Sequence, residues 1–541
     1  MNLVELHSRL IATNVKNDAD MTFTAINTLP QKRKDTVIVK TYVPGGKFAI
    51  IDEKGNDVDY TIIKSRDLTD YVLSQTIMLD PSRKFYVPDQ VLEVTMAIKA
   101  NDVPALGYVQ YSIDTQKDSH KETADKKVLE NKYYTIEGEE NGSLTIVDKA
   151  NNVTYKNQGI LVENGDDGDS FNYSPPRKDM EVFSNESKCT VKISGSDIYD
   201  QAEIHFDMVV PADLDERAEG KVSVTMLVDM TVALRKDSKV IDFNVKVDNK
   251  GLSHRLCVLF DSQIVSAFNY ADQQFGLIKR PNYYEKEMKL YMESMNNKTE
   301  KKAGIQELAN WANDQSTWQE PPISIEPTQS YVSLTDGKTG IAVIPQGVRE
   351  YEVLDDSKIR LTLFRTYGFM GKENLIYRPG RASGERIIET PAAQLLKEME
   401  FNFGFTSYAG DINDSDIDTL AKQYNTNLEV YTYAEFLNGR LIFSQREIEG
   451  QNAKIHSLFE TEGNLVVSAV KKAEEDDGYI IRLYNGKDHK DLDDKIKFNF
   501  DIKEAYYTNL KEEKTEEIKV ENNTISVKEL SHCKFVTIWV K

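Results

Sequence analysis

The chain of 541 residues is long enough for three or four domains, since a single hydrophobic core rarely grows beyond about 250–300 residues. Apolar residues make up 40% of the sequence and charged residues 29%, a balance that predicts large buried cores rather than disorder. The 67 basic and 88 acidic side chains give a net charge of −21, which argues against binding to nucleic acid or to an anionic membrane.

Cysteine usage and hydropathy narrow the class further. Cys189, Cys257 and Cys533 are odd in number and far apart, so the sequence offers neither a disulfide framework nor a paired-cysteine metal site. The sequence contains no apolar run of about 18 residues to span a bilayer, and its first residues lack the basic, apolar start of a signal peptide. We therefore expect a soluble protein of the reducing cytoplasm.

The first twenty residues predict a short helix. Leu3, Leu6, Leu10 and Ile11 recur at helical spacing. A helix this short depends on packing for its stability, because helix nucleation is costly. A chain that begins with one exposed apolar stripe is expected to pack on a preceding segment.

After residue 20 the spacing of apolar residues changes from helical to alternating. Segments 36–42 and 92–98 are rich in β-branched and aromatic residues, and glycine-containing turns separate such segments. We predict a small β-sandwich over residues 21–132.

A longer β region follows. Asn141-Gly142 lies between two strand-like segments and predicts a hairpin, because glycine accepts the positive φ of a tight turn. Residues 222–234 alternate apolar with polar or small side chains, which predicts a long strand with one buried face. The same alternation recurs at 241–247 and 359–363. These long strands predict antiparallel sheets packed face to face.

Two helical segments interrupt the strands. Residues 283–313 predict a helical insertion, and residues 415–425 predict a short helix with Ser415 as its N-cap. From residue 432 onward strands return, which predicts a C-terminal β module. The predicted strands are 466–470, 479–484, 496–502 and 535–540, with a charged spacer at 511–517.

Motifs of known catalytic or metal sites are absent from the sequence. The seven histidines are too far apart for a paired-histidine site, and His489 lies in a polar loop beside Asp491. The acidic run at 411–418 lacks the glycine and the distal glutamate of a calcium loop. Nucleophile elbows and glycine-rich phosphate loops are also missing. We assign no catalytic residue and no metal ligand to this chain.

Two loop clusters nevertheless stand out. Residues 164–176 combine glycines, acids and aromatics, which can hydrogen-bond to sugar hydroxyls and stack on a sugar ring; the alternative is an ordinary acidic turn. Residues 365–384 contain Arg365, Arg378 and Arg381 among glycines and a proline, which suits fixed polar recognition. The alternative for this second cluster is a loop anchored by arginine–carboxylate pairs.

The same clusters resemble the C-terminal half of glycoside hydrolase family 38, the α-mannosidases, in its bacterial branch. The similar stretches follow one another in order at 133–144, 165–176, 248–260, 318–321, 329–337, 340–352, 363–384 and 390–395, with weaker similarity at 473–484 and 502–510. Matches in this order are more specific than any single motif.

The resemblance implies a mostly β, multi-domain fold. Its expected parts are a helical-bundle remnant over 1–20, a small β-sandwich over 21–132, a large galactose-mutarotase-like supersandwich over 133–431 and a C-terminal β-sandwich module over 432–541. The helical insertion near 283–313 lies within the supersandwich. This architecture agrees with the reading from periodicity.

The resemblance also implies a chemistry. Members of the family hydrolyse α-mannosides with retention, and an aspartate both binds zinc and forms the glycosyl-enzyme intermediate. These groups belong to an N-terminal barrel whose motifs this sequence lacks. We therefore expect the chain to act with its own N-terminal catalytic barrel, to be inactive alone and to bind no zinc itself, the zinc belonging to the full-length enzyme.

The resemblance further implies a set of substrate-binding residues. In the family the first loop closes over the mannose pocket with an aromatic residue, usually tyrosine. Phe171 stands at that position and keeps stacking while losing the hydroxyl, and Asp169 and Tyr173 on the same loop are also predicted to bind the substrate. On the second loop, Arg381 and then Arg378 are the expected contacts.

Two other functions remain open. A free-standing carbohydrate-binding β protein would use the loops 164–176 and 378–384. A mutarotase-like or lyase-like enzyme would need a histidine or tyrosine beside an acid, and the sparse histidines argue against it. The expected ligand is an α-mannoside or a mannose-containing oligosaccharide. The sequence leaves open the linkage, the natural substrate and whether the chain forms homo-oligomers.

Overall fold

A computed structural model describes residues 11–12, 15, 19–74, 89–297, 320–379, 388–437, 452–488 and 490–541. Within these ranges the chain is mostly β and every pairing between named strands is antiparallel, which confirms the predicted multi-domain β-sandwich class. The described α-helices are Thr69–Ser74, Leu214–Ala218, Glu285–Asn297 and Ile417–Asn425, and the 3₁₀ turns are Ser184–Glu186, Pro391–Gln394, Ile412–Asp414 and Glu435–Leu437. None of the helices in the described ranges is long and apolar enough to cross a lipid bilayer.

The first sandwich consists of a six-stranded and a three-stranded sheet. In order across the first sheet its strands are Glu429–Ala434, Met21–Asn27, Gly107–Asp114, Ala49–Ile51 and Asp57–Val58, with Ile455–Ser457 also paired to Gly107–Asp114. The strands of the second sheet are Arg33–Val43, Leu92–Val103 and Tyr60–Asp67. The two sheets share one apolar core, in which Phe23, Val39 and Met96 are fully buried.

Strands from distant parts of the chain complete this first sandwich. Glu429–Ala434 pairs with strand Met21–Asn27, from Met21 opposite Ala434 to Ile26 opposite Glu429. The predicted division between residues 431 and 432 falls inside this strand. The domain ranges given above stay a prediction.

The large sandwich has three sheets around one core. The ten-stranded sheet contains, in order, Gly276–Pro281, Phe268–Gln273, Val332–Thr335, Thr339–Gln346, Glu398–Ala409, Ile241–Asp248, Val224–Arg235, Tyr199–Val210, Lys188–Gly195 and Ala124–Asp125. The six-stranded sheet contains Val182–Phe183, Ile160–Gly165, His254–Asp261, Lys358–Arg365, Glu350–Leu354 and Glu326–Pro327. The four-stranded sheet contains Val153–Gln158, Leu144–Asp148, Tyr134–Gly138 and Val128–Glu130.

Period-two alternation explains how these sheets face each other. Met226, Val228, Met230 and Val232 are all fully buried, and they belong to the same core as residues of the other two sheets. Their neighbours point to the opposite face of the sheet. The predicted strand is therefore confirmed, although Val222 at its predicted start is exposed and precedes it.

The C-terminal module is a smaller sandwich. Its three-stranded sheet contains Phe459–Thr461, Leu492–Phe498 and Thr524–Leu530, and its five-stranded sheet contains Val466–Lys472, Tyr479–Tyr484, Phe535–Val540, Ala505–Thr508 and Lys514–Glu517. One predicted strand was misplaced, because the structure has Leu492–Phe498 rather than 496–502. The charged spacer also contains a short strand, Lys514–Glu517, with every side chain exposed.

The predicted helices are only partly described. Helix Ile417–Asn425 confirms the second of them, although its N-cap position is Asp416 rather than Ser415. Of the predicted insertion near 283–313, the described part contains helix Glu285–Asn297, and residues 298–313 lie outside the described residues. Most of the predicted N-terminal helix also lies outside them.

Candidate functional site

The two loop clusters meet at one end of the six-stranded sheet. Strand Ile160–Gly165 leads into the first loop and strand Lys358–Arg365 leads into the second. Both strands pair with His254–Asp261, where Gly165 lies opposite His254 and Arg255 lies opposite Arg365. The antiparallel register therefore brings together two loops that are about two hundred residues apart in sequence.

A buried ion pair joins the base of the first loop to the end of the second strand. Arg365 Nε donates to Asp166 Oδ2 at 2.6 Å and Arg365 Nη2 donates to Asp166 Oδ1 at 3.2 Å. The same Nη2 donates to the backbone carbonyls of Asp169 and Asn172, each at 2.8 Å. Burial raises the pKa of Asp166, although the Arg365 charge opposes that shift.

A second buried ion pair joins the two loops higher up. Arg378 donates through Nη2 to Asp169 Oδ2, and Asp169 is fully buried. Three backbone amides also donate to the Asp169 carboxylate, from Phe171 at 3.0 Å, Asn172 at 3.1 Å and Lys372 at 2.8 Å. Although burial raises it, these hydrogen bonds hold the pKa of Asp169 below its usual value.

Glycine is required where the first loop turns over Arg365. A Cβ at Gly168 would lie 2.1 Å from the Asn172 carbonyl oxygen and 2.8 Å from Arg365 Nη2. The guanidinium is held there by its hydrogen bonds to Asp166 and to the carbonyls of Asp169 and Asn172. The sequence Gly-Asp-Ser-Phe-Asn thus folds into a turn that is closed around the arginine.

The aromatic residues of the first loop divide into buried and exposed. Tyr173 is buried, its hydroxyl accepts a hydrogen bond from Asn164 at 2.9 Å, and the Arg255 guanidinium lies 3.9 Å from its ring centre. Burial raises the pKa of Tyr173. Phe171 is instead 58% exposed, at the tip of the loop. Only Phe171 of these two can meet a ligand with its ring face.

The exposed tips of the two loops form an apolar rim. The Ser170 hydroxyl donates to the Met370 carbonyl at 2.6 Å, and the Met370 amide donates to the Ile388 carbonyl at 2.8 Å. Phe171, Met370 and Ile388 are all exposed. These hydrogen bonds hold the backbones of the loop tips together while the three apolar side chains face outward, as at a binding surface.

The predicted site residues therefore have different environments. Asp169 and Arg378 form an ion pair with each other, and Tyr173 makes contacts inside the protein. This is the arrangement of a loop anchored by arginine–carboxylate pairs. Phe171 is available at the surface. Arg381 lies outside the described residues. The sugar contacts of these residues stay a prediction.

A buried polar cluster beneath the loops was missed in the sequence. Glu163 accepts hydrogen bonds from Arg217 Nη2 and from His254 Nδ1, the latter at 2.9 Å, and all three side chains are buried. His254 Nε2 lies 2.9 Å from Asn249 Oδ1. Glu163 directly follows the apolar residues Ile160–Val162 and is the one charged residue of strand Ile160–Gly165, which is buried throughout. A carboxylate in such a buried strand was the signal in the sequence.

The described residues do not form a zinc site. No group of three or more histidine, cysteine, aspartate or glutamate side chains in the described ranges is arranged to hold a metal ion. His489 lies outside those ranges. No chemical step through zinc is therefore derived for residues of this chain.

The fold and the loop cluster define a multi-domain β-sandwich protein in which two ion pairs join the loops that follow strands Ile160–Gly165 and Lys358–Arg365. We call these two joined loops the loop end. Two family profiles then match the chain: residues 129–369 match the glycosyl hydrolases family 38 C-terminal domain, and residues 464–537 match the glycosyl hydrolases family 38 C-terminal beta sandwich domain. Together they span more than half of the chain. The chain belongs to glycoside hydrolase family 38 and carries C-terminal domains of that family, as the sequence predicted.

Individual relatives agree with this assignment. A curated relative from Halalkalibacterium halodurans, "Putative mannosylglycerate hydrolase", is 24% identical over 420 residues, which cover 74% of this chain and 40% of the relative. Two solved Enterococcus faecalis structures, a protein in glycosyl hydrolase family 38 and an alpha-mannosidase from strain V583, have TM-scores of 0.72 and 0.73 at 18% identity over 98% of this chain. The chain spans only 59% and 58% of those two chains.

Proposed function

We propose that the chain is the C-terminal β-rich portion of a zinc-dependent retaining α-mannosidase. In this role it supports an N-terminal catalytic barrel and contributes loops to the mannose pocket of that barrel. Membership of family 38 supports a mannosidase-type hydrolase. The names of the relatives, an alpha-mannosidase and a mannosylglycerate hydrolase, support an α-mannoside as the substrate.

The observation that carries the proposal is the exposure of Phe171 on a loop that is otherwise locked. The ion pairs Asp166–Arg365 and Asp169–Arg378 hold the backbone before it, and Arg365 Nη2 donates to the Asn172 carbonyl just after it. An apolar side chain held in one position at the surface loses little entropy when it packs on a ligand or on another domain. The loop is thus built to present one aromatic ring.

The reactive groups are assigned to the barrel. The described residues offer no zinc ligand set, so the zinc ion and the nucleophile would both be held by the barrel. When bound there, zinc would act as a Lewis acid that grips mannose hydroxyls. The contribution of this chain is to pack on the sugar with Phe171 and to keep water out of the pocket.

Activity and zinc measurements on the 541-residue chain test the proposal. We expect no hydrolysis of 4-nitrophenyl α-D-mannopyranoside and no stoichiometric zinc by plasma mass spectrometry, with activity restored by an added barrel fragment of the same enzyme. Robust turnover or one bound zinc per chain would refute it. Tight binding of manno-oligosaccharides at the loop end by the chain alone would instead favour the free-standing sugar-binding protein.

A matched pair of variants tests the part played by Phe171. In the barrel-complemented enzyme, Phe171→Ala should lower kcat/KM by about tenfold, the effect of losing one aromatic contact. Leu510→Ala removes an equally exposed apolar side chain from the C-terminal module and should have no effect. Equal activities of the two variants would show that Phe171 does not reach the substrate.

A further inference from the structure

A cleft of about 280 Å³ lies between the first sandwich, the outer face of the ten-stranded sheet and helix Ile417–Asn425. We call it the sheet cleft and define it by Thr231, Asn244, Asn402, Gln346 and Tyr424. It is separate from the loop cluster. Asp242 borders the sheet cleft at the start of strand Ile241–Asp248. Asn249, which contacts His254 beneath the loop cluster, follows the other end of that strand. Seven residues of extended chain place Asp242 and Asn249 about 24 Å apart.

The floor of the sheet cleft is a row of polar side chains across four adjacent strands. Thr231 lies opposite Asn244, Asn244 opposite Asn402, and Asn402 opposite Gln346. Side chains at one register position of neighbouring strands share a face and lie about 4.8 Å apart. The row therefore offers an amide or hydroxyl at each step over about 14 Å.

The amides of this row are oriented but not saturated. Asn244 Nδ2 donates to Asn402 Oδ1 at 2.8 Å and to Glu400 Oε1 at 2.6 Å. Within the described part of the chain, Asn244 Oδ1, Asn402 Nδ2 and the side-chain amide of Gln346 make no hydrogen bond to another residue. Each pair of neighbouring amides thus presents a donor beside an acceptor, the combination that pairs with hydroxyl groups, which both donate and accept.

A tyrosine ring forms one wall of the sheet cleft. Tyr424 lies against Gly404, where a Cβ would be 3.2 Å from the ring, so glycine lets the ring approach the sheet closely. Helix Ile417–Asn425 is fixed in turn by Arg33, which donates to the carbonyls of Gln423 and Thr426 at 3.0 and 2.6 Å. Tyr199 is a second aromatic lining residue. Rigid rings of this kind suit the apolar face of a pyranose.

The charges at the sheet cleft cancel. Arg235 donates to both oxygens of Asp242, at 3.0 and 3.1 Å, and to Asp35 at 2.7 Å. Asp35 also pairs with Arg33 at 2.9 Å. Two arginines and two aspartates therefore neutralise one another, which leaves no net charge to attract a carboxylate or a phosphate.

We propose that the sheet cleft binds a neutral saccharide of one or two pyranose units. The volume of the cleft, about 280 Å³, lies just below the range of about 300–1,000 Å³ for the pockets of drug-sized ligands. The cleft therefore limits the saccharide to one or two pyranose units. The amide row would hydrogen-bond to the hydroxyls and Tyr424 would pack on a ring face. This site is additional to the loop end, and it does not depend on the function proposed for that end.

Ligand-observed saturation-transfer NMR on the 541-residue chain tests this inference. The observed probes are methyl α-D-mannopyranoside, α-(1→2)-mannobiose and the anion D-glycerate, and inorganic phosphate is added as a competitor whose binding is read from the loss of a saccharide signal. We expect saturable binding of at least one saccharide, weakened about tenfold by Asn402→Ala through the loss of one or two hydrogen bonds. Gln346→Ala removes another amide of the row, should weaken binding in the same way, and serves if Asn402→Ala does not fold.

Two controls decide where a signal arises. Lys192→Ala alters the same sheet row three strands from Asn244, outside the cleft, and should not change the affinity. Phe171→Ala removes the exposed ring of the loop end, so a signal that this variant loses arises at the loop end. Binding that is lost in Phe171→Ala but kept in Asn402→Ala would overturn the inference. The absence of saturable saccharide binding, or a preference for glycerate or phosphate, would also overturn it.

Discussion

The Asp169–Arg378 ion pair is the contact whose removal tests the site most directly. In Asp169→Asn the side chain keeps its shape but the buried Arg378 charge loses its partner. The new amide group would also face the donors that now point at the carboxylate. We expect the first loop to open far more often while the sandwich core stays folded.

The expected size of this effect follows from burial. Breaking a buried ion pair by removing one partner costs about 3–5 kcal/mol, because the other charge is left without compensation. The amides of Phe171 and Asn172 can still donate to the asparagine oxygen, so we take the lower end, about 3 kcal/mol. This corresponds to local opening that is about a hundredfold more frequent.

Hydrogen exchange followed by mass spectrometry is the suitable assay, since a protein with several cores does not unfold in one two-state step. Peptides that cover residues 166–174 should exchange about a hundredfold faster in Asp169→Asn. In the double variant Asp169→Asn/Arg378→Met both charges are gone, so its loss should be smaller than the sum of the single losses. Unchanged protection in Asp169→Asn, or strictly additive losses, would refute the reasoning.

Four further outcomes are expected. The pKa of Asp169 in the folded protein lies below its unfolded value of about 3.9. Protection of the first loop from exchange should therefore be complete above about pH 3.9 and lost as the pH falls through the lower, folded pKa. Asp169→Asn should abolish this pH dependence. Burial raises the pKa of Asp272 to about 6, so its contribution to stability falls as the pH rises towards 6, and Asp272→Asn should raise the Tm more at pH 8 than at pH 4; an equal shift at both would contradict this. Gly168→Ala should destabilise the first loop by about 1–3 kcal/mol, because its Cβ would overlap the Asn172 carbonyl, and exchange as slow as in the parent would be the contrary result. Phe171→Ala should leave the Tm unchanged within the effect of about 0.5 kcal/mol typical of surface substitutions, and a large fall would show that the ring is structural.

Alternation of apolar and polar residues predicted individual strands well, because a strand with one buried face has an apolar side chain at every second residue. The strand over Val224–Arg235 and the hairpin at Asn141-Gly142 follow this rule, and Gly142 has the expected positive φ. Partners of distant strands were not predictable. Nothing in residues 429–434 indicates that they pair with residues 21–27, since every strand offers the same backbone donors and acceptors to a partner.

The candidate site shows the same limit. Loop composition pointed to residues 164–176 and to the arginines, but Asp169 and Arg378 are 209 residues apart, and local sequence cannot reveal which acid an arginine meets. In the structure the two side chains pair with each other and are buried, and their sugar contacts stay a prediction. Phe171 differs because no neighbouring segment covers the tip of its loop within the described residues, and exposure is a property of the assembled fold.

The returning strand Glu429–Ala434 has a consequence for synthesis of the protein. Strand Met21–Asn27, buried at every position once paired, leaves the ribosome about 400 residues before the strand that completes its edge. At translation rates of about 5–20 residues per second, that edge waits roughly 20–80 seconds. An unpaired strand edge is a template for wrong pairing between nascent chains. Slow or crowded translation should therefore lower the yield of this protein.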